Sequence, residues 1–445
     1  MELHELTVTQ AAAMIRQREL SPVELVEALL RRIDRLEPDL KAWVTLDRKG
    51  AMAAARQCEA EAGNEGTGPL HGVPLGVKDI FNVQGMPTTC GTPIFKDFYP
   101  DHDATCVAHL RHAGAIMLGK TVTVQFAHLD PPPTRNPWHP AHTPGGSSSG
   151  SAAAVAARMI PAGLGSQTGG SIVRPAAFCG VVGVKPSYGR ISRQGVFPDA
   201  WTLDHMGSLS RSVEDAALLT RVMAGHDPQD HTSLRTPPAD YLAAATRKDR
   251  APRLGLILDS LDRADPEMAG HLKAAARRFE EAGAEVREVR LPCSWEEIQA
   301  VRSLICEVEM ADVHAPLLRD HPEGYAPLIR GLVEIGQLLP GAAYIHAQRI
   351  RRRLRPAIEG MIGAVDCLLM PGAVGEAPDR SSTGDSIFQA PWSLFGLPSI
   401  TMPSGLSRAG LPLGVQLIGP KYGEETMFSA AAWCEGVLGP LPSPC

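Results

Sequence analysis

One stretch of this chain decides its fold, Thr143–Pro175, which reads TPGGSSSGSAAAVAARMIPAGLGSQTGGSIVRP. Its glycines and serines lie in two clusters, Gly145–Ser151 and Gly163–Ser171, on either side of the alanine-rich run Ala152–Arg158. Because alanine is the best helix former, the pattern predicts a loop, a helix and a second loop. Ser149 or Ser151 is expected to cap the N-terminus of that helix.

The second cluster places a serine directly after two glycines. Gly169 and Gly170 precede Ser171, and adjacent glycines let the backbone turn its N–H groups inward without a Cβ clash. A serine hydroxyl beside such N–H groups meets the needs of acyl transfer, a nucleophile next to an oxyanion hole. We therefore predict Ser171 as nucleophile and the N–H groups of Thr168, Gly169, Gly170 and Ser171 as the oxyanion hole.

A candidate base lies upstream of these loops. The segment Gly72–Phe81, GVPLGVKDIF, is typical of a short apolar strand and carries a single lysine, Lys78. Apolar surroundings disfavour the charged form of a lysine, and a neutral lysine can accept a proton. We predict that Lys78 is unprotonated and acts as the base.

Composition excludes several classes of function. The formal net charge of −6 argues against nucleic-acid binding, and no apolar run approaches the length of a membrane span. The N-terminus, MELHELTV, lacks the pattern of a signal peptide. Nine scattered cysteines without a C-x-x-C pair favour a reducing compartment, and hence the cytoplasm.

Two other motifs point to different enzyme classes. Gly114–Thr121, GAIMLGKT, fits the phosphate-binding loop of nucleotide hydrolases, but its apolar centre favours a buried strand. Gly146–Gly150, GSSSG, fits the nucleophile elbow of α/β-hydrolases, with Ser148 as nucleophile. That elbow must follow a strand, whereas two prolines precede this one.

Taken together, Lys78, GGSSSGS and GGSIVRP resemble the amidase signature family, whose members use a Ser–cis-Ser–Lys triad. Position by position, the resemblance assigns Lys78 as the triad lysine, Ser147 as the bridging serine and Ser171 as the nucleophile. It also implies a cis Gly146–Ser147 peptide bond. The implied fold is α/β: a single large domain with a mixed, twisted β-sheet core covered by helices on both faces.

The resemblance implies that residues 1–445 form one amidase domain with three parts. Its signature core covers about residues 68–220, a helical N-terminal scaffold about 5–62, and the rest of the sheet and pocket about 250–445. It implies no metal or organic cofactor, and it implies a homodimer without a nucleic-acid or membrane partner.

The nucleophile segment departs from the pattern usual in the family. Gln167 stands where an acid is usual, and the arginine has moved one place later, to Arg174. This variant resembles the malonamidase branch, which acts on small amides that carry an acid. We therefore predict that Gln167 and Arg174 bind substrate, with Arg174, held extended before Pro175, on its carboxylate.

The activity expected from this resemblance is hydrolysis of the C–N bond of a small, malonamate-like carboxamide through an acyl-enzyme on Ser171. The main alternative is the amidase subunit of a tRNA-dependent amidotransferase, which shares the triad but works with partners. A nucleotide hydrolase is the remote alternative.

Overall fold

The computed structural model describes residues 2–62, 66–247 and 250–444. In these residues the strands are β1 (Trp43–Leu46), β2 (Pro74–Lys78), β3 (Ile116–Thr121), β4 (Ala162–Gln167), β5 (Val182–Lys185), β6 (His205–Ser210), β7 (Arg253–Ile257), β8 (Glu285–Val289), β9 (Cys367–Pro371), β10 (Ser399–Leu406) and β11 (Pro412–Ile418). The α-helices are α1 (Val8–Arg16), α2 (Pro22–Leu40), α3 (Arg48–Glu61), α4 (Thr105–His112), α5 (Ser149–Ala156), α6 (Val173–Cys179), α7 (Val213–Met223), α8 (Tyr241–Thr246), α9 (Leu258–Leu261), α10 (Pro266–Glu281), α11 (Trp295–Asp320), α12 (Pro327–Leu338), α13 (Gly341–Gly363), α14 (Ala390–Phe395) and α15 (Glu424–Leu438).

All these strands belong to one sheet, in the order β1-β3-β2-β4-β6-β5-β10-β11-β9-β7-β8. Strand β2 pairs in parallel with β3 and β4, and β7 pairs in parallel with β8 and β9. The remaining neighbours are antiparallel. The sheet is therefore mixed, as predicted.

Helices cover both faces of the sheet. Successive side chains of a strand point to opposite faces, and β9 shows this pattern directly. Leu369 packs in a cluster with residues of α7, α10 and α15, whereas Leu368 and Met370 pack with residues of α11, α13 and α14. The prediction of one α/β domain with helices on both faces is confirmed.

The alanine-rich helix begins earlier than the sequence indicated. Helix α5 starts at Ser149, so Ser149 and Ser151, the predicted caps, lie inside it. Their hydroxyls donate instead to the backbone oxygens of Gly145 and Leu164, at 2.7 and 2.8 Å. The predicted cap was wrong because these serines bind the flanking turn and strand β4.

The GAIMLGKT segment forms strand β3 rather than a phosphate-binding loop. Its residues Ile116–Thr121 are all buried, and Lys120 pairs with the Asp79 carboxylate at 2.8 Å. A lysine held by a buried carboxylate is not available to a phosphate. The structure therefore removes the observation that motivated the nucleotide-hydrolase alternative.

Candidate active site

Strand β2 ends at Lys78, whose side chain is fully buried. Its Nζ donates to Ser147 Oγ at 2.7 Å and to Ser166 Oγ at 2.8 Å. Ser147 was predicted to contact this lysine. Ser166 was not, because it belongs to β4, and only the parallel pairing of β2 with β4 brings it to Lys78.

The surroundings of Lys78 favour its neutral form. Burial lowers the pKa of Lys78 to about 7, and the carboxylates of Asp199 and Asp204 offset only part of that effect. Among the described residues, no carboxylate lies within 4.0 Å of Nζ to form an ion pair. A lysine bound by two hydroxyls rather than a carboxylate can therefore exchange a proton near neutral pH.

The loop that carries Ser147 is joined to the turn that carries Ser171. The Gly146–Ser147 peptide bond is cis, as predicted. Ser148 N donates to the backbone oxygen of Ser171 at 3.2 Å, which fixes the two turns side by side. The Ser148 hydroxyl is buried and donates to Ser166 O at 3.3 Å, so the elbow motif does not present it as a nucleophile.

The turn before Ser171 leaves its N–H groups and the Ser171 hydroxyl free. In the described part of the chain, the N–H groups of Gly169, Gly170 and Ser171 donate to no protein acceptor. The Ser171 hydroxyl also makes no hydrogen bond there, including to Ser147. Free hydroxyl and amide groups on one turn can receive a carbonyl group from a ligand.

Both glycines of this turn are closely covered by side chains of other elements. A Cβ on Gly169 would lie 2.7 Å from Arg302 Nη2, and a Cβ on Gly170 would lie 3.0 Å from Gln389 Oε1. Side chains at these positions would therefore displace the groups packed against the turn.

Asp204 anchors the start of the same turn. Its carboxylate accepts from Thr168 Oγ1 at 2.6 Å and from the N–H groups of Asp199 and Ala200. Burial, and then the nearby charge of Asp199, raise the pKa of Asp204. Sequence reasoning missed this residue because the loop before β6 carries no motif for that contact.

Gln167 lies behind the nucleophile turn and is fully buried. Its Oε1 accepts from the N–H groups of Ile172 and Val173, both at 3.0 Å, and its Nε2 donates to Ser393 Oγ at 3.2 Å. Gln167 thus caps the first turn of α6 through its side chain. The Gln167 side chain is not free to make the predicted contact with substrate, because both ends of its amide already bind protein groups.

Arg174 lies within the first turn of α6, not in the predicted extended conformation. Proline is tolerated in a first helical turn, so Pro175 does not exclude the helix. The guanidinium donates to Gly384 O at 2.6 Å, Gly146 O at 2.7 Å and Thr383 Oγ1 at 3.2 Å. Burial lowers the pKa of Arg174 to about 10. Arg174 borders the cavity, but these contacts hold two loops together.

A cavity of about 270 Å³ opens at Ser171. Strand-end and loop residues form its floor, and helices α11 and α12 form its wall. Its lining comprises Ala127, His128, Leu129, Gly169, Gly170, Ser171, Arg174, Asp199, Arg302, Ser303, Cys306, Glu307, Leu332, Gly384, Asp385 and Ser386. The wall residues were missed because α11 and α12 carry no recognisable motif.

The described residues hold no candidate for a metal site or a membrane-spanning helix. No cluster of three or more His, Cys, Asp or Glu side chains in residues 2–62, 66–247 and 250–444 is placed to hold a metal ion. In the same residues, no helix has both the length and the apolar character needed to cross a membrane.

Comparison with known proteins agrees with this geometry. A family model described as Amidase matches residues 24–428. The A-subunit of glutamyl-tRNA(Gln) amidotransferase from Geobacter metallireducens is 37% identical over 471 aligned positions, which cover 97% of this chain and 97% of that protein. The native peptide amidase of Stenotrophomonas maltophilia superposes with a TM-score of 0.88 at 31% identity, over 99% of this chain and 98% of that one.

A second solved structure is also similar. It is a protein of a vestigial complex, described as revealing the evolutionary origins of an s-triazine catabolic enzyme. It superposes with a TM-score of 0.93 at 30% identity, over 99% of this chain and 100% of that one. The family model, the relatives and the solved structures agree along almost the whole length, and the chain therefore belongs to the amidase signature family.

Proposed function

We propose that this protein hydrolyses the C–N bond of a small carboxamide through an acyl-enzyme on Ser171. The observation that carries the proposal is the 2.7 Å contact between Lys78 Nζ and Ser147 Oγ. The loop of Ser147 is joined to the turn of Ser171, and Ser171 lines a cavity of about 270 Å³. We infer that the base, the bridging hydroxyl and the nucleophile act in that order.

In the proposed reaction, neutral Lys78 accepts the proton of Ser147 while Ser147 accepts that of Ser171. Ser171 Oγ attacks the amide carbon, and the carbonyl oxygen becomes an oxyanion held by the turn from Thr168 to Ser171. Ser147 then gives a proton to the leaving nitrogen as the C–N bond breaks, and Lys78 returns a proton to Ser147 and becomes neutral again. Water repeats these steps on the ester to release the carboxylate and restore Ser171.

Two effects contribute to the expected rate. A preorganised oxyanion donor contributes about 2.7–4 kcal/mol to the transition state, and a positioned general base contributes about 10²- to 10⁴-fold. The base needs a pKa near the working pH, and the pKa of about 7 for Lys78 meets that need.

A second candidate is the amidase subunit of a tRNA-dependent amidotransferase. It is favoured by the 37% identity to the Geobacter metallireducens protein over almost the full length of both chains. In that case the amide would be glutamine, and the ammonia would pass to a partner protein. The two candidates share the same chemistry at Ser171 and differ in the need for a partner.

The test is ammonia release by the purified chain alone. The panel comprises glutamine, neutral short amides and short amides with a second carboxyl group, with Ser171→Ala as the inactive control. We expect turnover of short amides without any added protein. Turnover that is confined to glutamine and requires added partner proteins would support the amidotransferase candidate instead. Light scattering on the same sample tests the homodimer that the family resemblance implies.

A further inference from the structure

Arg302 of helix α11 presents a guanidinium to the cavity without an ion-pair partner among the described residues. Its Nη2 lies 2.7 Å from the place a Cβ of Gly169 would occupy, so it reaches the turn that carries Ser171. Its Nε is buried and has no acceptor. The terminal guanidinium nitrogens of this partly buried side chain also make no hydrogen bond among the described residues. An arginine that lines a reaction cavity with unused donors is placed to bind an anion.

The carboxylates of Asp199 and Glu307 feel the charge of Arg302, but among the described residues no carboxylate lies within ion-pair distance of it. Asp199 contacts His128 at 3.4 Å, and Asp385 accepts a hydrogen bond from Ile387 N at 2.9 Å. Glu307 lies on the same helix and lines the same cavity, but forms no ion pair with Arg302 within 4.0 Å in the described part of the chain. The guanidinium therefore has no counter-ion at ion-pair distance among the described residues, and because Arg302 is only partly buried, its donors are open to a ligand from the cavity.

Arg174, the other arginine of the cavity, also lacks an ion-pair partner among the described residues, but its terminal nitrogens are already hydrogen-bonded. Arg174 already donates three hydrogen bonds, to Gly146, Thr383 and Gly384. The fork of an arginine matches the two oxygens of a carboxylate, but only a fork with free N–H groups can bind one. In this cavity the free fork belongs to Arg302.

We propose that Arg302 binds a carboxylate of the substrate, so that the enzyme selects short carboxamides with a second, ionised carboxyl group. The inference rests on the proposed amide hydrolysis and adds its substrate class. The cavity of about 270 Å³ lies below the usual range for drug-sized ligands, which favours short substrates.

The experiment compares two matched amide pairs, malonamate with propionamide and succinamate with butyramide, in wild type, Arg302→Ala and Arg302→Lys. We expect Arg302→Ala to lower kcat/KM for the acid-bearing amides about 10- to 100-fold, the range for a lost hydrogen bond to a charged group. The loss should lie mainly in KM. Neutral amides should change less than about twofold, and Arg302→Lys should restore part of the loss.

The matched control is Arg319→Ala on the same helix, an exposed arginine that pairs with its neighbour Asp320. It should leave both substrate types unchanged. Equal losses on acid-bearing and neutral amides in Arg302→Ala would overturn the proposal and make Arg302 a support for Gly169. An unchanged rate on the acid-bearing amides would overturn it as well.

A binding measurement separates this inference from the proposed function. Malonate and succinate are titrated calorimetrically into Ser171→Ala and into Ser171→Ala with Arg302→Ala. We expect binding to the first variant and at least about tenfold weaker binding to the second. Equal binding would overturn the role of Arg302 even if amides are hydrolysed. If the wild type hydrolyses no amide but the two variants still differ in their affinity for malonate and succinate, only the proposed function would be overturned.

Discussion

Lys78 and Lys120 lie in the neighbouring strands β2 and β3, and both side chains are fully buried. Lys120 contacts the Asp79 carboxylate at 2.8 Å and also donates to Thr88 Oγ1 and Pro87 O. Lys78 contacts two serine hydroxyls and no carboxylate in the described residues. The same residue type, at the same depth in the same sheet, thus meets two different sets of partners.

This difference separates a structural lysine from a reactive one. Burial lowers the pKa of both lysines, and in Lys120 the adjacent Asp79 charge works against that effect. A carboxylate at ion-pair distance holds the ammonium form, whereas hydroxyls accept a hydrogen bond from either form. The partners of a buried lysine therefore decide whether it stabilises the fold or moves protons.

The largest expected effect is on activity, in Lys78→Met. Loss of the base should lower kcat by about 10³-fold, within the range for general-base catalysis. The free energy of unfolding should fall by no more than about 2 kcal/mol, because only the hydroxyls of Ser147 and Ser166 lose a partner. Steady-state kinetics and urea unfolding measure both quantities. Retained activity would remove Lys78 from the proton relay.

The next effect is on stability, in Lys120→Met. Removing one partner of a buried ion pair leaves the Asp79 carboxylate without its counter-charge and costs about 3–5 kcal/mol. The molecules that remain folded should retain their kcat. This kcat is the maximal rate divided by the concentration of active sites, which a fluorophosphonate titration gives. A stable but inactive Lys120→Met variant would contradict the assignment of Lys120 as structural and Lys78 as reactive.

The smallest effect concerns Asp204, whose carboxylate raises the pKa of Lys78. Asp204→Asn removes that charge, so Lys78 should lose its proton at a lower pH. We expect the acidic limb of the kcat/KM profile to move to lower pH by less than about one unit. Thr168→Val removes the hydrogen bond that lowers the pKa of Asp204 but keeps the carboxylate, so it should move that limb less than Asp204→Asn does. An upward shift in Asp204→Asn would contradict this assignment.

The sequence predicted the parts of the site that lie in continuous motifs. Lys78, Ser147 and the glycines before Ser171 were found because each belongs to a short pattern, and the mixed α/β sheet followed from the resemblance those patterns carry. The contact between Lys78 and Ser147 was predicted with them. The catalytic roles of these residues remain predictions.

The parts that sequence reasoning missed depend on contacts between distant segments. Arg302 reaches Gly169 only because α11 packs over the nucleophile turn. The role of Gln167 depends on where α6 begins, since its side chain caps that helix. The backbone conformation of Arg174 was predicted wrongly. A residue before proline usually prefers an extended backbone, but Arg174 lies in the first turn of α6.

The central claim is that Ser171 is the nucleophile and that neutral Lys78 activates it. The most direct measurement is the rate of labelling by a fluorophosphonate as a function of pH, with the labelled peptide identified by mass spectrometry. Protonated Lys78 cannot accept a proton, so labelling should be slow in acid and rise through an inflection near pH 7, the pKa of Lys78. The label should lie on Ser171. A label on Ser148, or a labelling rate that does not change with pH, would contradict the account.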